Sequence, residues 1–252
     1  MLKPECVRYG ILGPLQLRAG PDPRPLRGPK VRKVLALLLA RANQVVSADT
    51  LVDELWDEQP PKTAVATLRT HIYHLRRSLD NVAPGLSDRL QTAETTGYVL
   101  TAGPGQLDVH RFGELTRQAA DAEPAAALRL LDEALGLWRG PALSDLPAGR
   151  PLRQHIAQLE EMKITTLESW VGLHMQLGRH RALVAELRGL VSRYPLHEWF
   201  HTRYMEALFR SDRRSEALHA YQRLRRILAD ELGIDPSAQV RSLHREILTS
   251  GA

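Results

Sequence analysis

The spacing of apolar residues changes character near residue 103. Before it, short alternating stretches are interleaved with helical ones; after it, nearly the whole chain has helical period. "VRYGILGPLQL", residues 7–17, alternates and is interrupted at Gly13-Pro14, which predicts two short strands around a turn. The loop "AGPDPRP" follows, with Leu26 a candidate for another short strand. Pro29 suits the first turn of a helix. Val31, Val34, Leu35 and Leu38 then recur at helical spacing, so a helix is expected from Pro29 to about Arg41, ended by Asn43. Ser47 is a good N-cap for a second helix, "ADTLVDELW", with Asp49 favourably placed in its first turn. "DEQPPK" is a proline-stiffened loop, and Thr63 can cap a third helix. After the loop "NVAPGLSD", the stretch "RLQTAETTGYVLT" predicts a β-hairpin with Thr95, Thr96 and Gly97 near its turn.

Gly103-Pro104-Gly105 is a natural boundary, dividing the chain into residues 1–103 and 104–252. In the second part "VHRFGELTRQAADA" and "PAAALRLLDEALGLW" read as a helix pair. A non-helical connector, "RGPALSDLPAGRP", comes next. A helix from about His155 to Leu177 pairs with one from Arg181 to Tyr194, and three more are expected at about 197–211, 214–231 and 236–249. The turns "LGRH" and "SDRR" lie 34 residues apart, the period of tetratricopeptide helix pairs. Ala217, Tyr221 and Pro236 roughly fit that pattern. The expected fold is mainly α: an α+β winged helix-turn-helix followed by a tetratricopeptide-like all-α domain.

The third helix, "ATLRTHIYHLRRSL" at 66–79, carries two messages. Leu68, Ile72, Leu75 and Leu79 form one face. Ala66, Arg69, Thr70, Tyr73, His74 and Arg77 form the opposite one, with no acid in the stretch. A DNA major groove admits one helix, arginine suits guanine edges, and hydroxyls with further arginines hold phosphates. His71 and Arg76 lie on the flanks, where phosphate contact is expected. The plainer reading of this face is a solvated one. What favours DNA is the context: two helices before it and a hairpin after it, the order of a winged helix-turn-helix whose hairpin tip can reach the minor groove.

Charge sharpens this. The 252 residues hold 34 Lys and Arg against 29 Asp and Glu. The balance is uneven, with 14 basic and 10 acidic residues in 1–103 but 20 and 19 in 104–252. Positive charge concentrates where a polyanion would be met. Cys6 is the only cysteine, which excludes an intramolecular disulfide and a Cys-based zinc site. The longest apolar run, Val34 to Ala40, is far too short to cross a bilayer, and Glu5 and Arg8 interrupt any signal-peptide layout. A cytoplasmic protein with no membrane partner is expected.

Three segments in order, "VSADTLVDELW", "PPKTAVATLRTHIYHLRRSL" and "LQTAETTGYVL", resemble the OmpR-type winged-helix DNA-binding domain. Together with "RYGILGPLQL", "GPKVRKVLALLLARANQVVS", "ALGLWRGPALSDL" and "AYQRLRRILADELGIDP", they make the chain resemble the Streptomyces antibiotic regulatory proteins over residues 7–249. That family joins such a domain to a helical bacterial transcriptional activator domain. The resemblance implies an activator of a biosynthetic gene cluster that binds direct repeats near the promoter −35 element and recruits RNA polymerase. The partners it implies are double-stranded promoter DNA, RNA polymerase (the sigma factor, with other subunits open), and a second copy in tandem on DNA. No cofactor is implied.

Carried over by position, Arg69, Thr70, Tyr73 and His74 would face the groove, and Thr67 and Arg76 the phosphates; the helical wheel alone adds Arg77 to the groove face and His71 to the phosphate flank. Trp56 has two readings, an indole beside the DNA backbone and a core aromatic, which are compatible. Thr92 and Tyr98 match backbone-contacting hairpin positions, Tyr98 being equally a packing residue. Lys30, Arg32 and Lys33 cluster near a helix start and either contact phosphate or solvate the helix; Lys30 and Arg32 are the chosen candidates. Asp57, Glu58 and Gln59 sit where relatives touch polymerase; the alternative is a solvated loop. Two departures stand out. Position 94 is Glu, where OmpR-type wings often carry a basic residue, which argues against insertion into the minor groove. His74 replaces a frequent arginine.

"HEWFH", residues 197–201, spells the zinc-protease pattern H-E-x-x-H, with Glu216 and His219 the nearest further ligand candidates. The same residues open a repeat helix in which Trp199, Phe200 and Met205 need burial. The second reading is preferred, so neither a metal nor an enzyme activity is expected. The competing non-enzymatic function is a tetratricopeptide-like interaction scaffold with no specific DNA binding.

Overall fold

The computed structural model describes residues 4–20, 23–93 and 97–250. It forms two compact units, residues 1–166 and 167–252.

In the first unit, β1 (Val7–Gly10) and β2 (Gln16–Ala19) form an antiparallel hairpin with Tyr9 opposite Leu17. Leu26 lies in no strand; among the described residues between β2 and α1 a single bridge forms, Pro23 to Arg18. Pro23 and Pro25 lack the amide donors that a strand needs. Helix α1 (Pro29–Ala40) buries Val31, Val34, Leu35 and Leu38, as its spacing predicts. The chain turns at Asn43, in the left-handed region at φ 67°. Its side chain bonds Ala102 in both directions.

A two-residue strand, β3 (Val46–Ser47), precedes α2 (Ala48–Trp56). Ser47 caps α2 as expected, its hydroxyl accepting from the Thr50 amide at 3.1 Å. Thr63 does not cap α3 (Ala64–Val82) with its side chain; its carbonyl instead takes both the Thr67 amide and the Thr67 hydroxyl. A 3-10 turn at Leu86–Arg89 leads into β4 (Leu90–Ala93) and β5 (Gly97–Leu100). The hairpin is expected, but β3 adds a third strand in the order β3-β5-β4. Gly97 permits this: a Cβ there would lie 2.6 Å from the Val46 carbonyl oxygen.

Helices α4 (Asp108–Ala120) and α5 (Pro124–Gly136) pack together and against the first hairpin. One hydrophobic core runs from Val7 to Leu159. The Asp108 carboxylate accepts the amides of Ile11 and Leu12 at 2.9–3.0 Å and pairs with Arg139. Helix α6 (Arg150–Gln176) begins five residues before its expected start at His155, because a side chain from α2 caps it.

The second unit contains α7 (His180–Arg193), α8 (Glu198–Phe209), α9 (Arg214–Leu232) and α10 (Ala238–Thr249), each packed on the next. The turns before α7 and α9 place Gly178 and Asp212 at φ 69° and 61°, so the 34-residue period recurs in the backbone. The mainly helical, winged-helix-plus-repeat fold class matches expectation. Among the described residues, no helix is long and apolar enough to cross a membrane.

Candidate nucleic-acid interface

Helix α3 is seated by Leu68, Ile72, Leu75 and Leu79, each at most 2 % exposed. That anchoring fixes the rotation of the helix about its axis. The opposite residues Ala66, Arg69, Thr70, Tyr73, His74 and Arg77 are all exposed as a result, Tyr73 at 60 %. Arg69 and Arg77 make no ion pair with any described residue. Tyr73 and His74 stand edge to face at 5.5 Å, which makes a flat aromatic corner between the two arginines. The Thr70 hydroxyl donates to the Ala66 carbonyl at 3.3 Å, and the half-buried Thr67 hydroxyl to Thr63 at 3.0 Å. Each must turn away from its carbonyl to donate to a phosphate, because a hydroxyl has only one proton to give.

The flanking residues are drawn inward. Arg76 is half-buried; its Nε and Nη2 donate to the Leu90 carbonyl at 3.2 and 3.0 Å, and Nη2 also to the Thr92 hydroxyl at 2.9 Å. It therefore clamps β4 onto α3. His71 lies near Trp56, ring centres 6.4 Å apart, and its Nε2 is buried with no hydrogen-bond partner. Burial foremost, then Lys30 and His74, lowers its pKa, which disfavours the cation that phosphate would pair with. Trp56 packs partly against the core, and the Lys30 ammonium sits 4.5 Å above its ring. Arg32 pairs with Asp145. Lys33 donates to the Glu54 carbonyl at 3.1 Å. Of the hairpin candidates, Thr92 is exposed and Tyr98 is 9 % exposed, opposite both Thr92 and Val46 in the sheet. Glu94 lies outside the described residues.

Asp57, Glu58 and Gln59 are exposed in the loop joining α2 to α3. Asp57 closes α2 at φ 50°. Its carboxylate accepts the Arg150 amide at 3.2 Å and lies 3.5 Å from the Arg153 guanidinium. Glu54, one turn earlier, is the residue sequence reasoning missed. Its side chain is fully buried, and its two oxygens accept the amides of Gly149 at 2.7 Å and Leu152 at 3.0 Å. Burial raises its pKa, and those two amides oppose the rise. A signal existed: position 54 shares a helical face with Leu51 and Leu55.

In "HEWFH", His197 precedes α8 as its N-cap residue, 3.7 Å from Glu168. His201 is 2 % exposed, its Nε2 within 3.0 Å of the Pro195 carbonyl, and burial lowers its pKa. Glu198 accepts the Ser237 amide at 2.7 Å. These side chains join loops to helices. Among the described residues, no group of three or more His, Cys, Asp or Glu side chains is placed to hold a metal ion.

Two family models match the chain. Residues 26–100 match the family "Transcriptional regulatory protein, C terminal", and residues 107–248 match "Bacterial transcriptional activator domain". Regulatory protein DnrI of Streptomyces peucetius is 39% identical, covering 96% of this chain and 92% of its own. Transcriptional regulator RedD of Streptomyces coelicolor is 37% identical, covering 96% and 71%. Among solved structures, Mycobacterium tuberculosis EmbR in complex with a low affinity phosphopeptide superimposes with a TM-score of 0.85 at 35% identity; the match covers 96% of this chain and 65% of that one.

Proposed function

The chain belongs to the Streptomyces antibiotic regulatory protein family, and from that premise we propose that it is a sequence-specific, DNA-binding activator of a secondary-metabolite gene cluster. It sits on direct repeats near the promoter −35 element, two copies in tandem, and recruits RNA polymerase. Residues 1–103 form the DNA-binding domain and 104–252 the activator domain.

The observation that carries this reading is the outer face of α3. Arg69, Thr70, Tyr73, His74 and Arg77 are exposed together on a helix whose inner face is completely seated. In the groove the two arginines read guanine edges, and Tyr73 and His74 supply stacking and hydrogen bonds. Thr67 and Thr92 hold phosphate, with Trp56 and Tyr98 beside the backbone. Arg76 contributes through the guanidinium edge that its bonds to β4 leave over. His71 reaches a phosphate only by taking a proton or turning its Nε2 outward. Lys30 and Arg32 reach one only by leaving Trp56 and Asp145. Asp57, Glu58 and Gln59 face polymerase.

A gel-shift titration over salt on the promoter of a neighbouring biosynthetic gene tests the reading. Specific binding falls steeply with salt because phosphate neutralisation releases counterions. Equal, weak binding to promoter and random duplex would favour the interaction scaffold instead.

A further inference from the structure

The polymerase-facing loop does not stand alone. With the first turn of α6 it lines a cleft of about 470 Å³ whose walls include Asp53, Trp56, Asp57, Glu58, Arg150 and Arg153. Arg150 reaches Asp53 at 3.3 Å, and Arg153 reaches Asp57 at 3.5 Å. Two of the three carboxylates therefore already have an internal counter-charge. Glu58 has none among the described residues. The two arginine side chains are 69% and 59% exposed, and each guanidinium has N–H groups left over. The backbone beneath is rigidly set, since the buried Glu54 carboxylate holds the start of α6 against α2.

Resting on the assignment of this loop to polymerase, we propose that the docking surface is composite and of mixed charge. A polymerase segment presents a cation to Glu58 and, beside it, an anion to Arg150 and Arg153. A uniformly basic partner does not match, because Arg150 and Arg153 would oppose it. Asp53 only offsets part of the Arg150 charge within the chain and makes no partner contact.

The test is in vitro transcription by RNA polymerase holoenzyme with the full chain at saturating promoter occupancy, with DNA affinity and melting temperature measured in parallel. Arg150→Ala combined with Arg153→Ala is expected to lower transcript about tenfold, the scale for losing two partner-facing charges, at unchanged DNA affinity. Glu58→Lys does the same, whereas Asp53→Asn, which frees Arg150 without removing it, retains the wild-type level. If Glu58→Lys loses transcript but the double arginine variant does not, the composite surface is wrong and the loop assignment stands. If neither loses transcript, the loop assignment itself fails. The proposal is overturned if Asp53→Asn falls as far as the arginine variant, or if that variant raises transcript, since the arginines would then only hold or cover the acids. It is overturned too if the double variant loses DNA affinity with a shallower salt dependence, since they would then bind phosphate.

Discussion

Helix α1 carries Lys30, Arg32 and Lys33 in its first turns, and α3 carries Arg69, Arg76 and Arg77 along its middle. Both have a buried aliphatic stripe on the other side. Their cations differ in fate. In α1 each has an internal partner: an indole ring for Lys30, Asp145 for Arg32, Glu54 for Lys33. In α3 only Arg76 is occupied, by the hairpin, and Arg69 and Arg77 stay open. Local sequence sets where a charge sits on a helix. Whether it is available to a ligand depends on what distant segments bring to it. Asp145 lies 113 residues from Arg32, and nothing in the pattern around "GPKVRK" announces it.

The contrast can be broken most forcefully through the shared side. Leu35→Ala in α1 and Leu75→Ala in α3 should each cost about 2–5 kcal/mol of stability in urea unfolding, because each side chain is fully buried and leaves a cavity. A large loss for one and almost none for the other would show that the helices are not equally seated.

The polar sides should then diverge. Arg69→Ala should leave the melting curve in place and cost about 1–3 kcal/mol of binding to the cognate site, with relaxed preference at one base position. Loss that is equal on every sequence would move Arg69 from base reading to phosphate contact.

Arg76→Ala occupies the middle ground. It should weaken binding evenly across sequences, by roughly 1 kcal/mol. Hydrogen exchange of the β4 amides should also speed up, since Arg76 ties that strand to α3. Unchanged exchange would mean that the strand is held by its sheet partners alone.

Arg32→Ala should have the smallest effect. A partly exposed ion pair contributes at most about 1 kcal/mol, and DNA affinity should hardly move. A loss of affinity as large as that of Arg69→Ala would erase the difference between the two helices.

Elements with strong periodicity were legible from the chain alone: α1, α2, α3, the hairpin and the repeat helices fall close to where apolar spacing puts them. The outward face of α3 was legible for the same reason, since the leucine stripe dictates which residues are left outside. Features made by long-range partners were not. Strand β3 is two residues long and exists through its pairing with β5. The first turn of α6 contains Pro151 and follows a loop-like sequence, so only the remote carboxylate of Glu54 reveals it. "HEWFH" shows the opposite failure: a spacing that fits zinc, in a setting where His201 meets a backbone carbonyl and Glu198 a loop amide.

The reach of Glu54 into residues 149–152 bears on how such regulators can be recombined. Swapping recognition modules between homologues invites a cut in the glycine-rich stretch at 103–105. A graft made there would pair one parent's acid at position 54 with the other parent's amides at 149 and 152, and one parent's Ile11 and Leu12 with the other's Asp108. Chimeras that carry both halves of these two joints from the same parent should be the ones that fold, whichever promoter they are redirected to.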